Sequence, residues 1–156
     1  MDNITETSSL TNDEKMMAML SHLSVIIGGI ILPIVIWAVQ KDKSKFVKFH
    51  SLQAIFYHIS LVAVMFIFVV LIILLMVISG LGVGIFQASS HHHNGGPFAV
   101  FMVIFMVVLY GGIFAVAFGY IAYGIYLAIK SYQGAMVKIP IIGKIIYNKV
   151  YGGNTT

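Results

Sequence analysis

Few residues in this 156-residue chain have the means to do chemistry: six histidines, five acids, nine lysines and no cysteine. The lack of cysteine removes disulfides, thiolate metal sites and cysteine nucleophiles. General acid–base work by paired carboxylates needs two acids brought together, and after Glu14 the sequence offers Asp42 alone. His91, His92 and His93 are adjacent, and such runs bind zinc, copper or nickel weakly. Neighbours in sequence do not build a rigid site, and no acid lies near enough to support one. His22 and His58 read as lone histidines, each hydrogen-bonded between helices. The glycines of GLGVG at residues 80–84 lack the following helix with Lys and Ser or Thr that a phosphate loop requires. The expectation is a protein that is not an enzyme, with no cofactor and no metal site.

Two residue patterns carry more information. His50, Gln53, Tyr57 and Ser60 recur at steps of three and four, which puts them on one face of a helix. Tyr120, Tyr123 and Tyr126 fall at a similar depth on a later helix. The two sets are expected to meet as an inner-face polar cluster that binds a partner segment or a lipid headgroup; the alternative is an ordinary interfacial aromatic belt. Gly111, Ala115 and Gly119 follow at intervals of four and form a small face where another helix backbone can approach closely.

The elements that position these residues are membrane helices. The chain is 60% hydrophobic and 9% charged, against about 25% charged in soluble domains. Apolar segments at 16–39, 52–79 and 98–129 each reach the roughly 20 residues needed to cross a bilayer. The expected fold is an all-α membrane protein, a bundle of three transmembrane helices in one membrane domain. The alternative is a re-entrant first segment, because Gly28, Gly29 and Pro33 interrupt it. Thr11 followed by Glu14 is a capping-box pattern that starts the first helix, after a polar tail at residues 1–15 with no signal-peptide pattern. Residues 80–97 read as an outer loop, and Pro97 suits the first turn of the last span.

Lysines set the orientation, because short loops rich in them stay on the cytoplasmic side. Lys41, Lys43, Lys45 and Lys48 follow the first span, and Lys130, Lys138, Lys144 and Lys149 follow the last. With three spans the C-terminus is cytoplasmic and the N-terminus outside, in a multi-pass protein of the cell membrane. Within the tail at 130–156, Ile141, Ile142, Ile145 and Ile146 repeat at helical spacing opposite Lys144 and Asn148. That pattern predicts an amphipathic interfacial helix, with Lys41, Lys43, Lys45, Lys48, Lys138, Lys144 and Lys149 facing anionic lipid or a partner.

Three stretches carry a family resemblance: KSKFVKFHSLQAI from Lys43, DEKMMAMLSHLSVIIGGIILPIVIWAV from Asp13, and QGAMVKIPIIGKII from Gln133. They resemble a family of small prokaryotic membrane proteins related to the Tic-twenty component of the chloroplast inner-envelope translocon. The resemblance implies a bundle of three or four membrane helices and a link to protein translocation. The functional expectation is a non-enzymatic membrane scaffold or accessory subunit, serving a translocation or secretion assembly; the alternative is a homo-oligomeric pore. Its partners would be the bilayer and a membrane protein or further copies of itself. Nucleic acid is not expected, because orientation already accounts for the lysines.

Overall fold

The computed structural model describes residues 10–89 and 96–152, with side chains at 10–80 and 100–152. Its helices are α1 (Asn12–Ile27), α2 (Ile31–Gln40), α3 (Lys45–Ser89), α4 (Gly96–Tyr132) and α5 (Ile142–Tyr151), and no strand occurs among the described residues.

Thr11 caps α1 as its sequence predicts. The Thr11 hydroxyl accepts the Glu14 N–H at 3.2 Å, and the Glu14 carboxylate accepts the Thr11 N–H at 2.9 Å, so two otherwise orphaned donors are satisfied. The helix stops at Gly28. The N–H groups of Gly28 and Gly29 both donate to the Ser24 carbonyl, at 3.1 and 2.7 Å, and Gly29 takes φ +53°, a left-handed conformation that glycine adopts without a Cβ penalty. Pro33 follows in the first turn of α2, where its missing N–H breaks no helical bond.

The chain reverses between these two helices. Near the far end of α2, the Gln40 amide donates to the Met17 sulfur at 2.9 Å, and Ile36 and Met17 pack together on Ala18, Phe46 and Val47. Segment 16–39 is therefore a helical hairpin and not one straight span. At 1.5 Å per residue its arms measure roughly 24 and 15 Å, short of a 30 Å hydrocarbon layer. The beginning of α1 lies beside the α2–α3 junction, with Glu14 hydrogen-bonded by the Ser44 hydroxyl. The physical reason for the hairpin is the Gly28–Gly29 break, which lets two short arms turn back where a continuous helix would cross.

The described chain forms two compact units: Met1–Leu61 with Gly119–Thr156, and Val62–Phe118. The first holds the buried core, including Ala18, Val47, Phe49, Ala54, Leu127 and Ile146. It also buries Ser21, Ser51 and Ser131 completely. Each donates to a carbonyl one turn back, at 2.8 to 2.9 Å, so a small polar side chain packs between helices without an unpaired hydroxyl.

The second unit consists of residues 62–118 of α3 and α4 and the chain between them. Most of its described side chains are apolar, and many face outward, with Val62, Phe66 and Val107 about two-thirds exposed. No Asp, Glu or Lys occurs between Lys48 and Lys130. Residues 62–80 and 100–118 each extend roughly 28 Å, close to the thickness of a hydrocarbon core. An apolar surface this large is stable only against an apolar solvent. Among the described residues, two helices, not three, are long and apolar enough to cross a membrane.

Both long helices run beyond their expected limits into the predicted outer loop, α3 to Ser89 and α4 from Gly96. Isolated glycines such as Gly80 cost a helix about 1 kcal/mol each and do not by themselves end it. Pro97 sits in the first turn of α4. His91, His92 and His93 lie outside the described residues.

At its other end α4 closes in a Schellman cap. Gly134, at φ +79°, donates to Ser131, and Ala135 donates to Lys130, which satisfies the last carbonyls. The four isoleucines expected on one face of α5 do not share one. Ile146 is buried, while Ile141 and Ile145 are 79% and 63% exposed.

Candidate functional site

Residues expected to form one polar cluster are placed in three connected settings within the first unit. Nearest the hairpin, His50 Nδ1 lies 3.1 Å from His22 Nε2, with the rings edge-on at 5.4 Å. In neutral rings one nitrogen of such a pair donates and the other accepts. His22 reads from sequence as a lone residue, hydrogen-bonded between helices. The hairpin turns α1 back along α3 and brings the two together.

His58 hydrogen-bonds instead to the Ala54 carbonyl on its own helix, at 2.8 Å. A carbonyl only accepts, so Nδ1 carries the hydrogen. Among the described residues, His22 Nδ1, His58 Nε2 and Trp37 Nε1 are buried without a hydrogen-bond partner. Among the described residues, no group of three or more His, Asp or Glu is placed to hold a metal ion.

One turn along from His50, the Gln53 amide clasps the segment after α4. Its Nε2 donates to the Val137 carbonyl at 2.9 Å, and its Oε1 accepts the Ile139 N–H at 3.2 Å. This buried side chain thus satisfies one acceptor and one donor of an irregular backbone stretch that has no helix or strand to do so. Gly143 completes the seat. A Cβ there would stand 2.6 Å from Gln53 Oε1 and 2.7 Å from Lys138 Cα, so only glycine lets α5 approach this closely.

The tyrosines join α3 to α4. Tyr57 donates its hydroxyl to the Tyr120 carbonyl at 2.6 Å, and Tyr120 donates to the Tyr57 carbonyl at 2.7 Å. Their rings stack at 4.0 Å. The Tyr120 carbonyl has two lone pairs, so it accepts the Tyr57 hydroxyl without giving up its helical bond. The Ser60 hydroxyl lies 2.8 Å from the Tyr57 carbonyl and also beside the Tyr120 hydroxyl, and its single hydrogen serves one of them at a time. Tyr123 lies 6.1 Å from the Tyr57 ring and stacks in turn on Tyr126, which is 46% exposed. Hydroxyls held on backbone carbonyls brace the two helices.

Close helix approach occurs at Gly124, where a Cβ would stand 2.8 Å from Val25 Cγ1 and 3.6 Å from the Tyr57 ring. In contrast, no described atom lies within 4 Å of a Cβ position at Gly111 or Gly119, and Ala115 is exposed.

All nine lysines belong to the first unit. Lys41, Lys43, Lys45, Lys138, Lys144 and Lys149 are exposed, and Lys48 is half-buried. Three are placed over aromatic rings: Lys138 Nζ is 3.2 Å from the centroid of Tyr147, Lys41 5.6 Å from Trp37 and Lys45 5.9 Å from Tyr151, within reach of cation–π attraction.

Residues 13–146, the hairpin through the first half of α5, match the MamF/MmsF family, described as the magnetosome magnetite crystal formation protein family. The chain belongs to this family. No curated protein and no solved structure matches the chain. Membership of the MamF/MmsF family overturns the resemblance to the Tic-twenty-related proteins, and the link to translocation or secretion goes with it. The structure shows why those stretches misled. His50 and Gln53 in the first, Gly28 and Pro33 in the second, and Gly143 in the third all serve packing, turning or backbone satisfaction. Such needs recur in any small bundle and carry no function with them.

Proposed function

We propose that the chain is a non-enzymatic scaffold of the magnetosome membrane that takes part in magnetite crystal formation. The observation that carries this reading is the match of residues 13–146 to the MamF/MmsF family. In the proposed topology α3 and α4 cross the bilayer, and the lysine-bearing unit faces the cytoplasm under the positive-inside bias. This narrows the expected cell-membrane location to the magnetosome membrane. There the chain holds a membrane protein partner or further copies of itself.

Two features support a scaffold over a catalyst. The described hydroxyls of Tyr57, Ser60 and Tyr120 are committed to backbone carbonyls. No carboxylate follows Asp42 in the sequence, so the chain offers little of the hard oxygen donor set that iron ions in water prefer. Its contribution to a mineral is then organisational.

The test is deletion of the chain in its host and complementation, with crystals counted and sized by electron microscopy. A complementing copy extracted into native nanodiscs is analysed in parallel by quantitative mass spectrometry. The scaffold reading expects altered crystals without the chain, and a stoichiometric partner or several copies of the chain in the extract. Unaltered crystals in the deletion strain would remove the role in crystal formation. A lone single copy would remove the scaffold.

A further inference from the structure

We infer that α5 and the turn preceding it form an interfacial anchor that binds the phosphate headgroups of anionic lipid with lysines and inserts Ile141 and Ile145 beneath them. The starting observation is a strained residue. Ile141 has φ 66° and ψ −66°, and the Ile142 N–H donates to the Pro140 carbonyl at 2.8 Å, which closes a three-residue γ-turn. A β-branched side chain at positive φ is a true outlier, and strain of this kind persists where surrounding structure imposes it and function uses it.

The strain has a clear geometric result. Ile139 and Ile146 on either side stay buried, while Ile141 is turned out to 79% exposure and Ile145, one helical turn on, is 63% exposed. The helix cannot roll to hide this pair, because Gly143 is wedged against Gln53 and the Lys138 backbone. Two isoleucines are thus fixed outward on a well-seated element.

Charge identifies what covers them. Lys138, Lys144 and Lys149 are exposed around the pair, and no acidic residue occurs anywhere after Asp42. The occupant must therefore be anionic at one level and apolar immediately below it. The headgroup layer of the chain's own membrane has that order, and an amphipathic helix with basic residues lies in it. Tyr147 and Tyr151, stacked at 4.8 Å beside Phe49, are of the residue types enriched at that depth. Lys138 over Tyr147 holds one ammonium at the same level.

The chain has no cysteine, so an Ile145→Cys variant carries a unique spin label. Full-length labelled protein is placed in nanodiscs of phosphatidylcholine alone and of phosphatidylcholine with phosphatidylglycerol. The accessibility of the label to oxygen, which concentrates in lipid, is compared with that to a water-soluble nickel chelate. The anchor predicts a label that favours oxygen, more strongly in the anionic discs. Each lysine near an anionic surface is worth about a fivefold factor in the anchored-to-lifted ratio, so Lys144→Gln with Lys149→Gln lowers that ratio roughly 25-fold in anionic discs alone. Protection of the Ile139 amide from exchange reports separately that Gln53 still seats the segment, so loss of fold is not read as loss of anchoring. A nickel-accessible label in both disc types overturns the proposal. So does oxygen preference that neither phosphatidylglycerol nor the two lysine changes alter, since apolar insertion would then occur without any reading of headgroup charge.

Discussion

Gly124 offers the sharpest test of the packing between α1 and α4, because its neighbour is stiff. A Cβ at Gly124 would stand 2.8 Å from Val25 Cγ1 and 3.5 Å from Val25 Cβ, and valine in a helix has one strongly preferred rotamer, so the methyl cannot swing aside. Gly124→Ala therefore gains about 1 kcal/mol in helix propensity but loses about 1–3 kcal/mol to overpacking, a net loss of up to about 2 kcal/mol. At Gly119 nothing stands within 4 Å, so Gly119→Ala keeps its gain of up to about 1 kcal/mol. Val25→Ala removes the obstructing methyl. In that background the sign reverses, and Gly124→Ala becomes stabilising, with a coupling of about 1–3 kcal/mol between the two sites. Equilibrium unfolding in mixed micelles, followed by far-ultraviolet circular dichroism, gives all four corners of the cycle. Additivity to within about 0.5 kcal/mol, or a Gly124→Ala variant as benign as Gly119→Ala, would refute the close approach of α1 to α4.

Other perturbations address the remaining contacts. Gln53→Leu strips partners from the Val137 carbonyl and the Ile139 N–H, at about 1–3 kcal/mol for each group left unpaired, and hydrogen exchange should show the Ile139 amide losing protection while core amides of α4 keep theirs. Tyr57→Phe removes one of two reciprocal donations, and a membrane-helix hydrogen bond of this kind averages about 0.6 kcal/mol; a loss several times larger would mean that the hydroxyl does more than brace the helices. Single cysteines replacing Asn12 and Asn148 should react with an impermeant thiol reagent from the same side of sealed vesicles, whereas opposite-side labelling would contradict the hairpin. Below neutral pH, Glu14 supplies a directional test: the Ser44 hydroxyl, followed by the Thr11 backbone, holds its carboxyl below the usual range. A carboxyl with a lowered folded-state pKa contributes stability that is present above its unfolded value of about 4.3 and is lost as pH falls through the folded value. Stability measured from pH 6 downward (about the start of that titration) should fall less steeply in Glu14→Gln than in the parent.

What the sequence made legible was local. The Thr11–Glu14 cap, Pro97 in the first turn of α4 and the all-helical class each follow from chemistry within a few residues. The hairpin depended on a choice that hydropathy does not make. A 24-residue apolar run averages the same whether it crosses or turns back, and the discriminating signal was Gly28–Gly29 followed by Pro33, which supplies a left-handed turn and a restart. Missing that turn also left His22 a lone residue, because it is the turn that brings α1 back to His50. The polar stripe on α3 was visible as a stripe, but the partners of Gln53 lie more than 80 residues away, and no periodicity encodes them. Gly124 and Gly143 were unremarkable in a glycine-rich chain, since what distinguishes them is the neighbour each one admits.

The hairpin also bears on how such a chain enters a membrane. In the proposed topology, the stretch that must pass through the hydrocarbon during insertion is the connection between α3 and α4, centred on residues 90–95, SHHHNG, which contain no Asp, Glu or Lys. Carrying a charged side chain through the bilayer centre costs at least about 2.5 kcal/mol per residue. In that topology every lysine stays on the side where synthesis occurs, because the α1–α2 hairpin turns back. Biogenesis reduces to the insertion of a single helical pair, with the remainder assembling from one face afterwards.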